Sequence, residues 1–149
     1  MKIRIIAAFV SAGLVAACSG GTPSPAGWQP VPGASPDSQW STGSGASVQT
    51  YTYEKRPFAG TLQELASTQA TSLVAAAKGT HFNGSDTFAS CPGQAAIANF
   101  TTGNDRQMVQ GVGVRNGTAV VVSYVRPTNA VMSPEVAKAM EAALCGSTF

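Results

Sequence analysis

The sequence predicts an α+β fold: a single antiparallel β-sheet of about four to six strands with two helices packed on it. Three observations carry that expectation. Thr61-Leu62-Gln63-Glu64 forms a capping box at the head of an apolar stripe with helical spacing. Two long runs, Arg106–Arg115 and Thr118–Arg126, are joined by Asn116-Gly117, a pair that readily takes the positive φ angles of a tight hairpin. Ser133-Pro134 then places an N-cap residue before a proline, which is the ordinary opening of a helix.

Taken in order, the globular part is expected over residues 48–149. Val48–Tyr53 alternates β-branched and aromatic residues and reads as a strand broken by Pro57, Phe58 and Gly60. The first helix starts after Thr61, runs for about 17 residues and carries Leu62, Leu65, Ala66, Leu73, Val74 and Ala77 on one stripe. Lys78-Gly79 is expected to close it with a basic last turn and a glycine cap. Thr80–Ala89 reads as extended but interrupted at Asn83-Gly84, as a bent strand or a short hairpin. Gln94–Thr102 reads as a strand with Ala96, Ala98 and Phe100 on one side, turned by Gly103-Asn104-Asp105. Ala119–Val125 is apolar on both faces and is expected at the centre of the sheet. Gly111 and Gly113 share one face of its hairpin partner, leaving room for a bulky neighbour or a bulge. In the closing helix Val136, Met140, Ala143 and Leu144 face inward. Both helices are expected on the same face of the sheet.

The first 18 residues have a different character. Lys2 and Arg4 precede an apolar run from Ile5 to Val15, and Val15-Ala16-Ala17 leads into Cys18. The apolar part is about 11 residues, where a bilayer crossing takes roughly 20. This order resembles a bacterial lipoprotein signal. The resemblance implies that residues 1–17 are a removed signal peptide and that acyl chains, palmitate among them, sit on Cys18. It also implies export to the cell envelope and anchoring to a bacterial membrane, the outer membrane facing the periplasm in a Gram-negative host. Residues 18–47, with Pro23, Pro25, Pro30, Pro32 and Pro36, read as a Pro/Gly/Ser-rich tether. Trp28 and Trp40 within it either pack on the domain or meet a partner or the lipid interface.

Charge narrows the partners. The precursor has nine basic and seven acidic side chains. Lys2 and Arg4 leave with the signal, so the mature chain is near neutral. Nucleic acid is not expected as a partner, because no Lys/Arg cluster larger than Lys55-Arg56 exists. With Cys18 acylated, Cys91 and Cys145 remain in an oxidising compartment, and a disulfide between them is expected. It would close a loop of roughly 55 residues and stabilise the fold by about 4 kcal/mol at most.

No catalytic, cofactor-binding or metal-binding set is legible. Nucleophile-elbow and P-loop patterns are absent, and His81 is the only histidine. Glu54, Glu64, Asp86, Asp105, Glu135 and Glu141 fall at caps, turns and outer faces. The Thr61-Leu62-Gln63-Glu64-Leu65-Ala66 helix start after a strand, the Asn116-Gly117 hairpin, the Val122-Ser123-Tyr124 strand and the short closing helix resemble the PsbP-like fold family over residues 48–145. That resemblance implies a binding or assembly module and transfers no catalytic residue. The function expected is therefore a membrane-tethered, non-enzymatic binding or scaffold module with an envelope protein as partner. The alternative is a carrier holding a small apolar or lipid-like molecule between helix and sheet, motivated by low charge and by Gly111, Gly113, Ala96 and Ala98.

Overall fold

A computed structural model describes residues 21–35 and 38–146. The expected signal segment 1–17 and Cys18 lie outside the described residues. Among the described residues, seven strands form one antiparallel sheet: β1 (Gln29–Pro30), β2 (Gln39–Thr42), β3 (Gln49–Pro57), β4 (His81–Thr87), β5 (Ala95–Thr102), β6 (Arg106–Arg115) and β7 (Thr118–Pro127). Helix α1 (Leu62–Ala76) joins β3 to β4, and α2 (Pro134–Cys145) closes the chain. In space the strands run β1-β2-β3-β7-β6-β5-β4. The hairpin meander β4 to β7 thus returns to pair its last strand with β3, and α1 crosses the sheet to reach the far edge.

The strand count exceeds the expected four to six because β1 and β2 come from the stretch read as a tether. Trp40 explains why. It pairs with Tyr51 in the β2–β3 register, is 6% exposed, and sets its ring 6.1 Å from that of Tyr51. Trp28 packs on the same cluster, with its ring 6.2 Å from that of Tyr124, and Pro25 is fully buried. Two indoles bury enough apolar surface to order a segment that is otherwise rich in Pro and Gly.

The expectation that both helices cover one face is corrected. Side chains alternate across a pleated strand, so odd and even positions of β6 and β7 look opposite ways. Val120, Val122 and Tyr124 of β7 join Val109 of β6, Tyr51 of β3 and the α2 residues Val136, Ala139, Met140 and Leu144 in one cluster. Ala119 and Val121 of β7 join Val112 of β6 and Leu65 of α1 in another. One helix therefore lies on each face, and β7, apolar on both, is the central strand between β3 and β6. A two-sided apolar strand needs cover on both sides, which a one-faced arrangement would have left exposed.

Local signals act as expected at most turns. Asn116 and Gly117 take φ of 52° and 73° in the β6–β7 hairpin. Strand β4 bends by a register shift between Phe82 and Gly84. The Ser133 hydroxyl caps α2 by accepting the Val136 amide at 3.4 Å. Helix α1 ends differently from the expectation: Ala77 is its C-cap, no basic residue lies in the last turn, and Gly79, at φ 84°, serves the turn into β4. Cys91 and Cys145 sit at disulfide distance, with Cα atoms 5.6 Å apart, and tie the β4–β5 connection to the end of α2.

Candidate binding cleft

The two helices meet the sheet in different ways, and the difference creates the site. On the α2 face the helix seats Val136, Met140 and Leu144 directly on the strands, all three fully buried. Gly111 and Gly113 look toward this face, and the space above Gly111 is taken by Leu144 and Met140. The room expected at these glycines for a bulky neighbour is taken by a helix, and only the alternative carrier reading had assigned it to a ligand.

Helix α1 is anchored only near its start. The Thr61 amide donates to Glu64 Oε2 at 2.7 Å, and the Glu64 amide donates to Thr61 Oγ1 at 3.2 Å. The Thr61 amide, and second the Thr61 hydroxyl donating to Glu64 Oε2 at 3.1 Å, hold the Glu64 carboxyl below its ordinary range. Leu65 is then the one fully buried residue of the helix, wedged against Val112, Ala119 and Val121. The expected stripe does not continue inward, since Val74 is 42% exposed. Beyond Ala66 the residues turned toward the sheet are small or polar, such as Ala70 and Thr71. The facing strand β5 offers Ala96 and Ala98. Small side chains on both walls cannot meet, and a cleft of about 730 Å³ remains between α1 and strands β4–β6.

Its floor and walls are mostly apolar, with Leu62, Ala66, Ala96, Ala98 and Val112 prominent. Phe82 on the edge strand stands 47% exposed at the side, its ring edge-on to Phe100 with centroids 5.5 Å apart. Hydroxyl and amide groups of Gln63, Ser67, Ser85 and Thr87 line its margins. Gln110 is a polar residue set deep in this lining, 4% exposed, and its Nε2 donates to Ser123 Oγ at 3.2 Å across the β6–β7 pair. Of the residues the sequence marked for a carrier, Ala96 and Ala98 line the cleft and the two glycines do not. Gln110 and Phe82 were not marked. A polar residue at an inward position of Met108-Val109-Gln110-Gly111-Val112 was the available signal for the first.

The ionisable residues are dispersed. Glu54 pairs with Arg56 at 2.7 Å on the surface, His81 opens the exposed edge strand opposite Thr101, and Asp86 accepts the Thr87 amide at 2.7 Å. Among the described residues, no three His, Cys, Asp or Glu side chains are grouped closely enough to hold a metal ion. Among the same residues, no helix is long and apolar enough to cross a membrane. No protein-family model matches the chain, and a search of curated proteins finds no significant match.

Proposed function

We propose that the chain is a non-catalytic binding module of a bacterial cell envelope, anchored through acyl chains on Cys18, that carries a small apolar or lipid-like ligand in the α1 cleft. The observation that carries the reading is the cleft itself. Its volume lies within the roughly 300–1,000 Å³ common for small-molecule sites, and its lining is apolar with a few polar groups. The order of Lys2, Arg4, the apolar run and Val15-Ala16-Ala17-Cys18 supports the anchor. Seven residue steps separate Cys18 from Pro25, the first fully buried residue of the domain, a reach of at most about 25 Å. The module would then work close against the bilayer instead of at the end of a long tether.

Native mass spectrometry of the protein extracted in mild detergent from its own membranes tests this reading. The expected species carries acyl chains on Cys18, lacks two hydrogens for the Cys91–Cys145 bridge, and retains a non-covalent mass of a few hundred daltons. A stoichiometric bound protein with an empty cleft would shift the function to a scaffold. An unacylated chain would remove the anchor from the account.

A further inference from the structure

The walls of the cleft say what kind of molecule fits it, and Gln110 says how that molecule is held. Every other side chain deep in the lining is apolar or small, whereas Gln110 brings a primary amide to within 4% of complete burial. Only half of that amide is used. Nε2 donates to Ser123 Oγ at 3.2 Å, and Oε1 has no hydrogen-bond partner among the described residues. The Oε1 atom is not sealed off like the buried, unpartnered Tyr51 hydroxyl; it opens onto the cleft. A ligand that covers this carbonyl without offering a donor strips it of solvent at a cost, which a hydroxyl or N–H on the ligand avoids.

Charge in the lining is equally informative. Asp86 is the one ionisable residue among the cleft-lining side chains, and it is exposed at the margin with its carboxylate accepting the Thr87 amide. No Lys, Arg or His lines the site. A carboxylate or phosphate head drawn to the floor would lose its hydration without a counter-charge, and would pass Asp86 on entry. A cationic head drawn to the floor would lose its hydration without a buried counter-charge, since Asp86 stays exposed at the margin.

We infer that the cleft selects an uncharged amphiphile, an apolar body carrying one hydroxyl or amide N–H that donates to Gln110 Oε1. This inference rests on the cleft being the binding site, as proposed above. It adds the class of ligand and the residue that reads it. Gln110 acts here as a specificity-determining residue: it adds little to the affinity for a featureless hydrocarbon and much to the choice among heads.

The test uses the full mature chain with Cys18→Ser, which needs no detergent, and pyrene as a fluorescent probe with no hydrogen-bonding group. Dodecanol, its methyl ether and dodecanoate compete against pyrene at equal chain length. Dodecanol is expected to displace the probe about tenfold more strongly than either competitor. Gln110→Leu should weaken dodecanol about five- to tenfold while leaving pyrene affinity unchanged, the size of one net hydrogen bond. Ala98→Phe and Ala70→Phe, which fill the cleft from opposite walls, should abolish pyrene binding. If pyrene binds and is lost on filling, yet dodecanoate competes as well as dodecanol or Gln110→Leu changes nothing, the selectivity is wrong and the cleft stands. If the parent chain does not bind pyrene, or both filled variants still do, the cleft reading and the inference fall together.

Discussion

Leu144 of α2 occupies the space that Gly111 of β6 leaves by having no side chain. A Cβ built on Gly111 would lie 2.5 Å from Leu144 Cδ1 and 3.0 Å from Val122 Cγ2. Leu144 is fully buried, so its methyl group cannot swing aside into solvent. Gly111→Ala should destabilise the fold by about 1–3 kcal/mol through overpacking. Urea unfolding should show a lower midpoint with an unchanged slope. Combining it with Leu144→Ala should cost less than the sum of the two single changes, since the second removes the obstacle to the first.

The bridge between Cys91 and Cys145 spans 54 residues of sequence. Restricting so long a loop in the unfolded chain is worth on the order of 4 kcal/mol by chain entropy, and native disulfides commonly return about 2–4. Cys91→Ala with Cys145→Ala should lower stability by that amount, read by urea unfolding. The far-UV spectrum at low denaturant should be retained, because α2 remains seated through Val136, Met140 and Leu144. A double variant as stable as the parent would show that the bridge does not hold the fold.

Tyr51 is buried, and its hydroxyl has no hydrogen-bond partner among the described residues. Burial pushes its pKa far above the usual value near 10, with the charge of neighbouring Tyr53 adding to the effect. Tyr51→Phe keeps the ring contact with Trp40 and removes an unpaired polar atom, so it should be neutral or stabilising by up to about 1 kcal/mol. The sign with pH follows. The folded state holds the phenolic proton more tightly than the unfolded state, so stability is intact below pH about 10 and declines as pH rises above it. Denaturation scans on the alkaline side should show a shallower decline in Tyr51→Phe than in the parent.

Thr61 fixes the only firmly seated end of α1. Thr61→Ala removes the side-chain cap and should cost about 0.5–2 kcal/mol. It should also loosen one wall of the cleft, so pyrene affinity should drop along with stability. The Glu64 carboxyl is held below its ordinary range by Thr61, which means its contribution is present at neutral pH and is lost as pH falls through the lowered value. Acid unfolding of the parent should therefore include a component that Thr61→Ala only reduces, because the Thr61 amide still donates to the carboxylate, and that Glu64→Gln lacks.

Much of the fold was legible because its signals are local. A capping box, an Asn-Gly turn and a Ser-Pro helix start act within three or four residues, and Thr61, Asn116-Gly117 and Ser133 each perform the role their neighbours imply. The apolar run of β7 also announced a strand buried on both sides. Its consequence, one helix on each face, required adding the pleat parity of β6 and β7 to the destination of each helix. Composition misled at residues 29–42, where Pro and Gly indicate a linker and two tryptophans outweigh them by burial.

The site depended on the tertiary structure more heavily. Sequence alone determined that Gly111, Gly113, Ala96 and Ala98 are small, that charge is sparse and that Cys91 and Cys145 are two of three cysteines. Whether a small residue makes a cavity or receives a neighbour depends on what packs opposite. Leu144 and Met140 fill the space over Gly111, while Ala66 and Ala70 leave the space facing Ala96 and Ala98 open. Gln110 likewise became a candidate ligand contact only once its strand register turned it toward the sparsely anchored helix, because an amide draws its meaning from the groups it can and cannot reach.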